Sequence, residues 1–297
     1  MVNYNRTMTV RTAIARLTEW EGLNFWVTNR VPRRALTRFM GWFSKMEQPM
    51  VRDLSIATWR LFCDVDLSDS AKAKFRSLHD CFIRELRPGA RPVDPDPAVL
   101  VSPCDGIVGA CGTIEHGTLL QVKGFPYALE ELLQSAEAAA EYRNGLYVTL
   151  RLTAGMYHHF HAPHEGRVTR VTYIPGDTWN VNPPALKRVD RLYCRNERAV
   201  LDFSLADGGR KVALVAVAAI LVAGIRLRFA QLPAERGHGR PTSWNCDAHA
   251  EKGGELGWFE HGSTIIVLAP GGFELCETAV EGARVRMGQP LMHQSAD

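Results

Sequence analysis

The chain has 297 residues, 46% hydrophobic and 23% charged, which excludes a mainly disordered chain, collagen and a coiled-coil rod. It is long enough for one large domain or two ordinary ones with a sizeable core. The net charge of +3 is uneven: residues 1–60 carry ten Lys/Arg against four Asp/Glu, or +6, and the rest carries −3.

The first 18 residues have no apolar h-region, so no secretory signal is expected; basic and acid-free, they also fit a transit peptide. Residues 11–85 are predicted to be helical, with few glycines and apolar residues at spacings of three and four, such as Val27, Val31 and Phe39, Phe43. Pro32 splits this stretch or starts a helix. Four of the seven tryptophans (20, 26, 42, 59) lie in the first 60 residues, interleaved with Arg30, Arg33, Arg34, Arg38 and Lys45. Such a segment suits an anionic membrane surface, rings down and cations toward headgroups. A helix packed on the core with a solvated basic face fits the same composition. The Pro-rich passage from Arg87 to Pro97 reads as a linker. The expected division is a helical, membrane-associating region over 1–90 and a β-rich domain over 91–297.

From Val99 short β-type segments follow one another: 99–101, 107–111, 118–123, 146–152, 167–174, 199–204, 211–225, 227–231, 264–269 and 283–286. Residues 127–141 are the one convincing helix among them. The apolar run between Lys211 and Arg226 has 14 residues, too short to span a bilayer, and suits a strand covered on both faces. The fold class expected is α+β, mainly β: a sandwich or barrel-like core with a helical N-terminal appendage. Seven cysteines with no CxxC pair indicate neither a disulfide framework nor a zinc ribbon, and point to a reducing compartment.

Three segments carry candidate chemistry. Asp105 sits in the turn Ser102-Pro103-Cys104-Asp105-Gly106, where a framed carboxylate can orient a base; an ordinary Asp-Gly turn reads the same way. Tyr157-His158-His159-Phe160-His161-Ala162-Pro163-His164 places four of ten histidines in seven residues, suited to proton transfer near neutral pH. His158 and His161 share a site only if the backbone turns, so a tight turn or short helix is expected over 154–161. A plain surface or core cluster and a metal site are the rivals for this cluster; no HExxH pattern is present, and no metal is expected. His261-Gly262-Ser263-Thr264 opens an apolar strand; it is not GxSxG, so a nucleophile elbow is disfavoured.

Lys252-Gly253-Gly254-Glu255-Leu256-Gly257-Trp258-Phe259 followed by Gly262-Ser263-Thr264 resembles the processing region of phosphatidylserine decarboxylases. The aspartate turn 101–106 and the histidine segment 157–163 resemble the same family. So do the blocks Phe82–Pro92, Val122–Tyr127, Ile174–Asp177, Val181–Pro183 and Arg195–Arg198, in the family's order, from about residue 25 onward. Cys104 stands where the family usually has alanine. His261 stands where an apolar residue is common, which adds an ionisable group beside the scissile bond.

The resemblance implies a self-processing proenzyme. Ser263 attacks the Gly262 carbonyl, with His161 as base and Asp105 as its orienting partner. The products are a β chain of 1–262, an α chain of 263–297 and a covalent pyruvoyl group at residue 263. Through a Schiff base on that ketone, phosphatidylserine gives phosphatidylethanolamine and CO2, with His158 serving the decarboxylation. The implied partners are phosphatidylserine, an anionic membrane surface and the two chains themselves; a homo-oligomer is compatible, and nucleic acid is not expected. The implied location is peripheral, on the cytoplasmic face of a membrane, the cell membrane if bacterial. A Ser-His-Asp hydrolase of lipid esters with its serine intact, and a non-enzymatic membrane-binding module, are the competing readings.

Overall fold

The computed structural model describes residues 33–121, 125–206, 209–219, 224–233, 239–260 and 263–295. The predicted helical run before residue 33 and the residue pair 261–262 therefore lie outside the described residues. Helices α1 (Arg33–Phe43), α2 (Pro49–Phe62) and α3 (Leu78–Phe82) come first. Pro49 opens α2 at a position where its missing N–H costs nothing. Residues 63–77 are not helical, contrary to expectation. Asp66 and Ser70 there bind the backbone of Ser68 and Lys72, at 2.8 and 3.3 Å, and so compete with helical hydrogen bonds.

Sixteen strands follow among the described residues. They are β1 (Val99–Val101), β2 (Gly106–Thr113), β3 (Thr118–Gln121), β4 (Phe125–Ala128), β5 (Leu146–Leu152), β6 (His159–His161), β7 (Gly166–Ile174) and β8 (Arg198–Leu205). Then come β9 (Lys211–Ala218), β10 (Ile225–Leu227), β11 (Thr242–Ala250), β12 (Glu255–Phe259), β13 (Ser263–Ala269), β14 (Phe273–Leu275), β15 (Arg284–Val285) and β16 (Pro290–Gln294). Four short helices, α4 (Leu129–Leu133), α5 (Ala136–Glu141), α6 (Pro183–Leu186) and α7 (Leu192–Arg195), interrupt them. The single helix expected over 127–141 is two, because Gln134 turns left-handed at φ 53° between them. The strand expected over 211–225 ends at Ala218; the next among the described residues is Ile225–Leu227, and the strand expected over 227–231 does not extend beyond Leu227.

Eight strands form one antiparallel sheet in the order β11-β7-β8-β9-β13-β5-β2-β15. Its edge strands do not pair with each other, so the sheet is open and no barrel closes. Two three-stranded sheets, β1-β16-β14 and β10-β12-β6, cover one face. Leu100, Phe160, Phe259 and Leu291 from them pack with Leu150, Leu152, Ile265 and Val267 of the large sheet. The short helices cover the other face, where Leu132, Leu186 and Tyr193 meet Val215, Ile266 and Leu268. The period-two alternation of β13 is thus buried on both sides, which explains why Ile265–Leu268 and Val212–Val217 are uniformly apolar. The mainly β α+β class stands, as three layers around a two-faced sheet.

The N-terminal helices are different. None of the residues of α2 is fully buried. Trp42, Met50 and Leu54 are 63%, 76% and 67% exposed, with Phe39, Leu61 and Phe62 beside them in sequence. These six account for most of the large apolar side chains exposed among the described residues. No helix among the described residues is long and apolar enough to cross a membrane.

Two substitutions separate these environments. Ile266→Ala should cost about 2–5 kcal/mol of stability. Leu54→Ala should cost under about 0.5 kcal/mol. Urea unfolding of both variants in detergent-free buffer checks the contrast.

Candidate functional site

Asp105 lies in the turn between β1 and β2. Ser102 Oγ donates to the Cys104 carbonyl at 2.8 Å and tightens that turn. The Asp105 carboxylate is buried and held in a fork: Arg91 Nε and Nη2 donate to it at 2.9 and 2.6 Å, and the Met287 amide at 3.0 Å. Arg91 also bridges to Asp69 at 2.8 Å. These two carboxylates raise the Arg91 guanidinium above its ordinary value, the Asp105 hydrogen bond being the main cause.

The aspartate turn and the histidine segment are joined through the backbone. The Val101 amide donates to Pro163 O at 2.8 Å, and the His161 amide to Pro103 O at 2.7 Å. His161 is buried, and both ring nitrogens are engaged. Nδ1 meets the Gly253 carbonyl at 2.9 Å and Nε2 meets the Tyr157 hydroxyl at 3.1 Å. A carbonyl can only accept, so Nδ1 carries the proton, and the neutral ring then accepts from Tyr157 at Nε2. Burial pushes the His161 imidazole down to about 4, against the Gly253 carbonyl and nearby acidic groups including Asp105. The ring is therefore neutral at physiological pH, the state a general base requires.

This differs from the expected arrangement in one respect. The tautomer of His161 is fixed by Gly253, not by Asp105, whose oxygens Arg91 and Met287 occupy; Asp105 reaches His161 through charge. Gly253 has φ +79° and a Cβ there would lie 2.6 Å from Val93, so the carbonyl that orients His161 depends on glycine. Its amide donates to Ala162 O at 2.9 Å, which ties the loop before β12 to the histidine strand.

The histidine cluster divides. Residues 154–156 form the turn, but 159–161 are extended β6, so the predicted turn over 154–161 holds only for its first part. His159 and His161 gather around Tyr157, with ring centroids 4.8 and 5.7 Å from it. His159 Nδ1 meets Glu255 at 2.8 Å and Nε2 meets Ile83 O at 3.1 Å. Burial raises Glu255, but hydrogen bonds from His159 and Arg228 outweigh it and bring the carboxyl down to about 2. His158 is fully buried with its ring 4.0 Å from that of Phe82. His164 is bound to the carbonyls of Glu165 and Pro97 at 2.8 and 2.7 Å, which ties two loops together.

Ser263 is the first residue of β13 and fully buried, paired with Leu152 of β5 and Ala218 of β9. By alternation its side chain leaves the face that packs on β6 and β12. Its hydroxyl has no hydrogen-bond partner among the described residues. It opens instead on a cavity of about 380 Å³ at the ends of β5, β9 and β13. Met40 of α1, Trp59 of α2 and Leu78 and Phe82 of α3 wall that cavity. Phe82 thus touches both the cavity and His158. Among the described residues no group of three or more His, Cys, Asp or Glu side chains is placed to hold a metal.

Tyr157, Gly253 and Arg91 were not singled out for their chemistry by sequence. Tyr157 precedes His161 by four residues, a spacing that signals nothing until the chain turns at 154–156. Gly253 and Arg91 stand inside motifs quoted above without a role.

A family model described as phosphatidylserine decarboxylase matches residues 78–293. The phosphatidylserine decarboxylase proenzyme of Brevibacillus brevis is 36% identical over 274 residues, 90% of this chain and 96% of that protein. The proenzymes of the same name from Myxococcus xanthus and Vibrio cholerae are each 35% identical, over 88% and 92% of this chain and 94% and 98% of theirs.

The His161 account predicts a sign. Its value is 6.5 when exposed and about 4 when folded, so between those limits the unfolded chain binds more protons. Stability on this account is fully present above pH 6.5 and declines as pH falls toward 4, by roughly 3 kcal/mol. The measurement is the imidazole titration by NMR, whose midpoint should lie well below 6.5; an ordinary midpoint would show that burial does not govern this ring.

Proposed function

This chain belongs to the phosphatidylserine decarboxylase family, and from that membership we propose that it cuts itself between Gly262 and Ser263 and then converts phosphatidylserine to phosphatidylethanolamine and CO2. The observation that carries the reading is Ser263 itself: a buried hydroxyl without a competing partner, at the start of a central strand, on the face shared with the His161 strand and at the wall of an apolar cavity.

Self-cleavage needs a base, because an alcohol is a poor nucleophile at neutral pH. His161 Nε2 holds the available lone pair, with Nδ1–H fixed on Gly253 O. The Tyr157 hydroxyl occupies that lone pair in the uncut chain and must yield it for the Ser263 proton to be taken. Ser263 Oγ then attacks the Gly262 carbonyl carbon, and the peptide bond becomes an ester. Asp105 favours the transient imidazolium by its charge, and Arg91 keeps that carboxylate in place. Elimination of the ester releases the Gly262 carboxylate and leaves dehydroalanine at 263. Hydrolysis of the resulting imine consumes water and releases ammonia, giving a β chain of 1–262 and an α chain of 263–297 capped by a pyruvoyl group.

The position fits such a group: it is buried, walled by apolar side chains, and derived from the chain's own serine. A ketone there supplies an electron sink for the pair set free as CO2 departs. The apolar walls exclude water from the reacting carbon. His158, packed on the cavity residue Phe82, is assigned to the substrate carboxylate or to returning the proton after CO2 is lost.

The lipid substrate remains in its bilayer, so the cavity must open toward a membrane surface. The exposed apolar side chains of α1 and α2 support this, since the same two helices wall the cavity. We assign residues 1–90 to peripheral attachment on the cytoplasmic face and residues 91–297 to catalysis. The excess of basic residues in 1–60 adds attraction to anionic lipid, on the order of 1 kcal/mol per Lys or Arg near the surface.

Whole-protein mass spectrometry should find two chains, the smaller lacking a free amine at residue 263; one intact chain in active enzyme would refute the reading in favour of a serine hydrolase. Ser263→Ala should leave one uncut, inactive chain. His161→Ala should slow cutting by about 10²–10⁴-fold, and Asp105→Asn by less. His158→Ala should still cut but lose decarboxylation. Trp42→Ala with Leu54→Ala should reduce sedimentation with phosphatidylserine-containing liposomes, and salt should reduce it further; unchanged sedimentation would remove α1 and α2 from the membrane contact.

A further inference from the structure

Among the described residues Arg151 is the one charged side chain lining the Ser263 cavity. It lies near the end of β5, opposite Thr264 of β13. By alternation its side chain leaves the opposite sheet face from Ser263. The cavity wraps the strand ends and takes in both.

The charge is unanswered. Arg151 is half-buried, and its guanidinium forms no ion pair or hydrogen bond among the described residues. Burial lowers its value from the usual one, and the neighbour that opposes this effect is a phenol, Tyr193, not a carboxylate. The other inward-facing arginines differ. Arg91 is clamped between two carboxylates. Arg84 donates to Asp66 O and Gly155 O through Nη2 alone, its Nε and Nη1 having no partner among the described residues, and Arg198 donates to four backbone carbonyls, those of Glu131, Leu132, Cys194 and Asn196. A half-buried guanidinium at a cavity wall, with no protein partner among the described residues, is free to take an anionic ligand, whereas the fork of Arg91 and the donors of Arg198 are already committed.

We propose that Arg151 is a specificity-determining residue that binds the phosphodiester of the substrate headgroup. The proposal rests on the phosphatidylserine reading above. That substrate brings two anionic groups to the cavity, and their fates differ. The carboxylate loses its charge as CO2 forms, so a guanidinium paired to it would stabilise the ground state more than the transition state. The phosphodiester keeps its charge throughout, and a forked guanidinium suits its oxygens. Binding there is equal before and during the reaction, so it lowers KM and leaves kcat alone. The placement of Ser263 and Arg151 on opposite sheet faces also suits a headgroup whose reacting amine and phosphate are several bonds apart.

The test is Arg151→Gln, with Arg151→Lys as the charge-retaining control. Wild-type enzyme is first assayed for CO2 release from dihexanoylphosphatidylserine; no release would overturn the functional reading itself. Given release, Arg151→Gln should cut normally and raise KM by about tenfold or more with kcat little changed, and the lysine variant should recover much of the loss. A rise in kcat alongside the raised KM would place Arg151 on the carboxylate and overturn the proposal; a fall in kcat at constant KM, or an unchanged KM, would overturn it as well. Binding is read independently by calorimetry with dihexanoylphosphatidylmethanol, which has a phosphodiester but neither amine nor carboxylate. The host is the Ser263→Ala chain, so the comparison survives a processing defect. Adding Arg151→Gln should weaken that binding by about tenfold; equal binding overturns the proposal. Inorganic phosphate in the same titration should bind far more weakly than the lipid; equal affinity would mark a free-anion site instead and overturn it.

Discussion

The structure depends on β13 being buried on both faces and hydrogen-bonded along both edges. Strand β5 pairs with it on one side and β9 on the other, register by register from Ser263. The residue proposed to give up its own peptide bond thus begins an interior strand of the sheet. That placement fixes the Ser263 side chain on one face, deprives it of water, and allows nothing polar among the described residues to compete for its hydroxyl. The chemistry can then be supplied by the layer packed against that face, where β6 carries His161.

His161 shows how the scaffold would prepare the proposed base. Its neutrality comes from burial, and its tautomer comes from a backbone carbonyl available only because Gly253 adopts a left-handed conformation. The carboxylate that sequence logic would set against the ring is anchored one layer back by Arg91 and the Met287 amide. Positioning and charge are therefore divided between two groups. The ring is held by a neutral acceptor that does not raise its basicity as strongly as a carboxylate would, while the negative charge acts from a distance on the protonated state.

Much of this was legible in the sequence, for identifiable reasons. The apolar runs 212–217 and 265–268 announced covered strands, and the order of the motifs carried the family. The short strands β4, β6, β12, β14 and β16 were not legible, because three to five residues give little alternation to distinguish strand from loop. The nine-residue β11 was missed because, at the sheet edge, it alternates over most of its length only between exposed and half-buried positions and contains Asn245 and Asp247. The histidine segment misled in part: four histidines in seven residues suggest one site, yet His164 ties loops together and His159 anchors Glu255 and the carbonyl of Ile83. Which ring serves chemistry is decided by what surrounds it, and those partners come from residues 76 to 96 positions away. Arg151 was passed over for the converse reason. Its distinction is a missing partner, and no sequence pattern records one.

The burial of β13 between β5 and β9 has a consequence for the life history of the molecule. A segment threaded into the middle of a completed sheet cannot be added afterwards, so the polypeptide would have to reach its native topology before the proposed scissile bond meets its base. On the proposed cleavage at 262–263, maturation would become a certificate of correct assembly: chains that misfold would never acquire the reactive carbonyl and would stay chemically silent. Once severed there, the two fragments would remain laced together by the same ladder, and the nick would be a scar within one body rather than a point of separation.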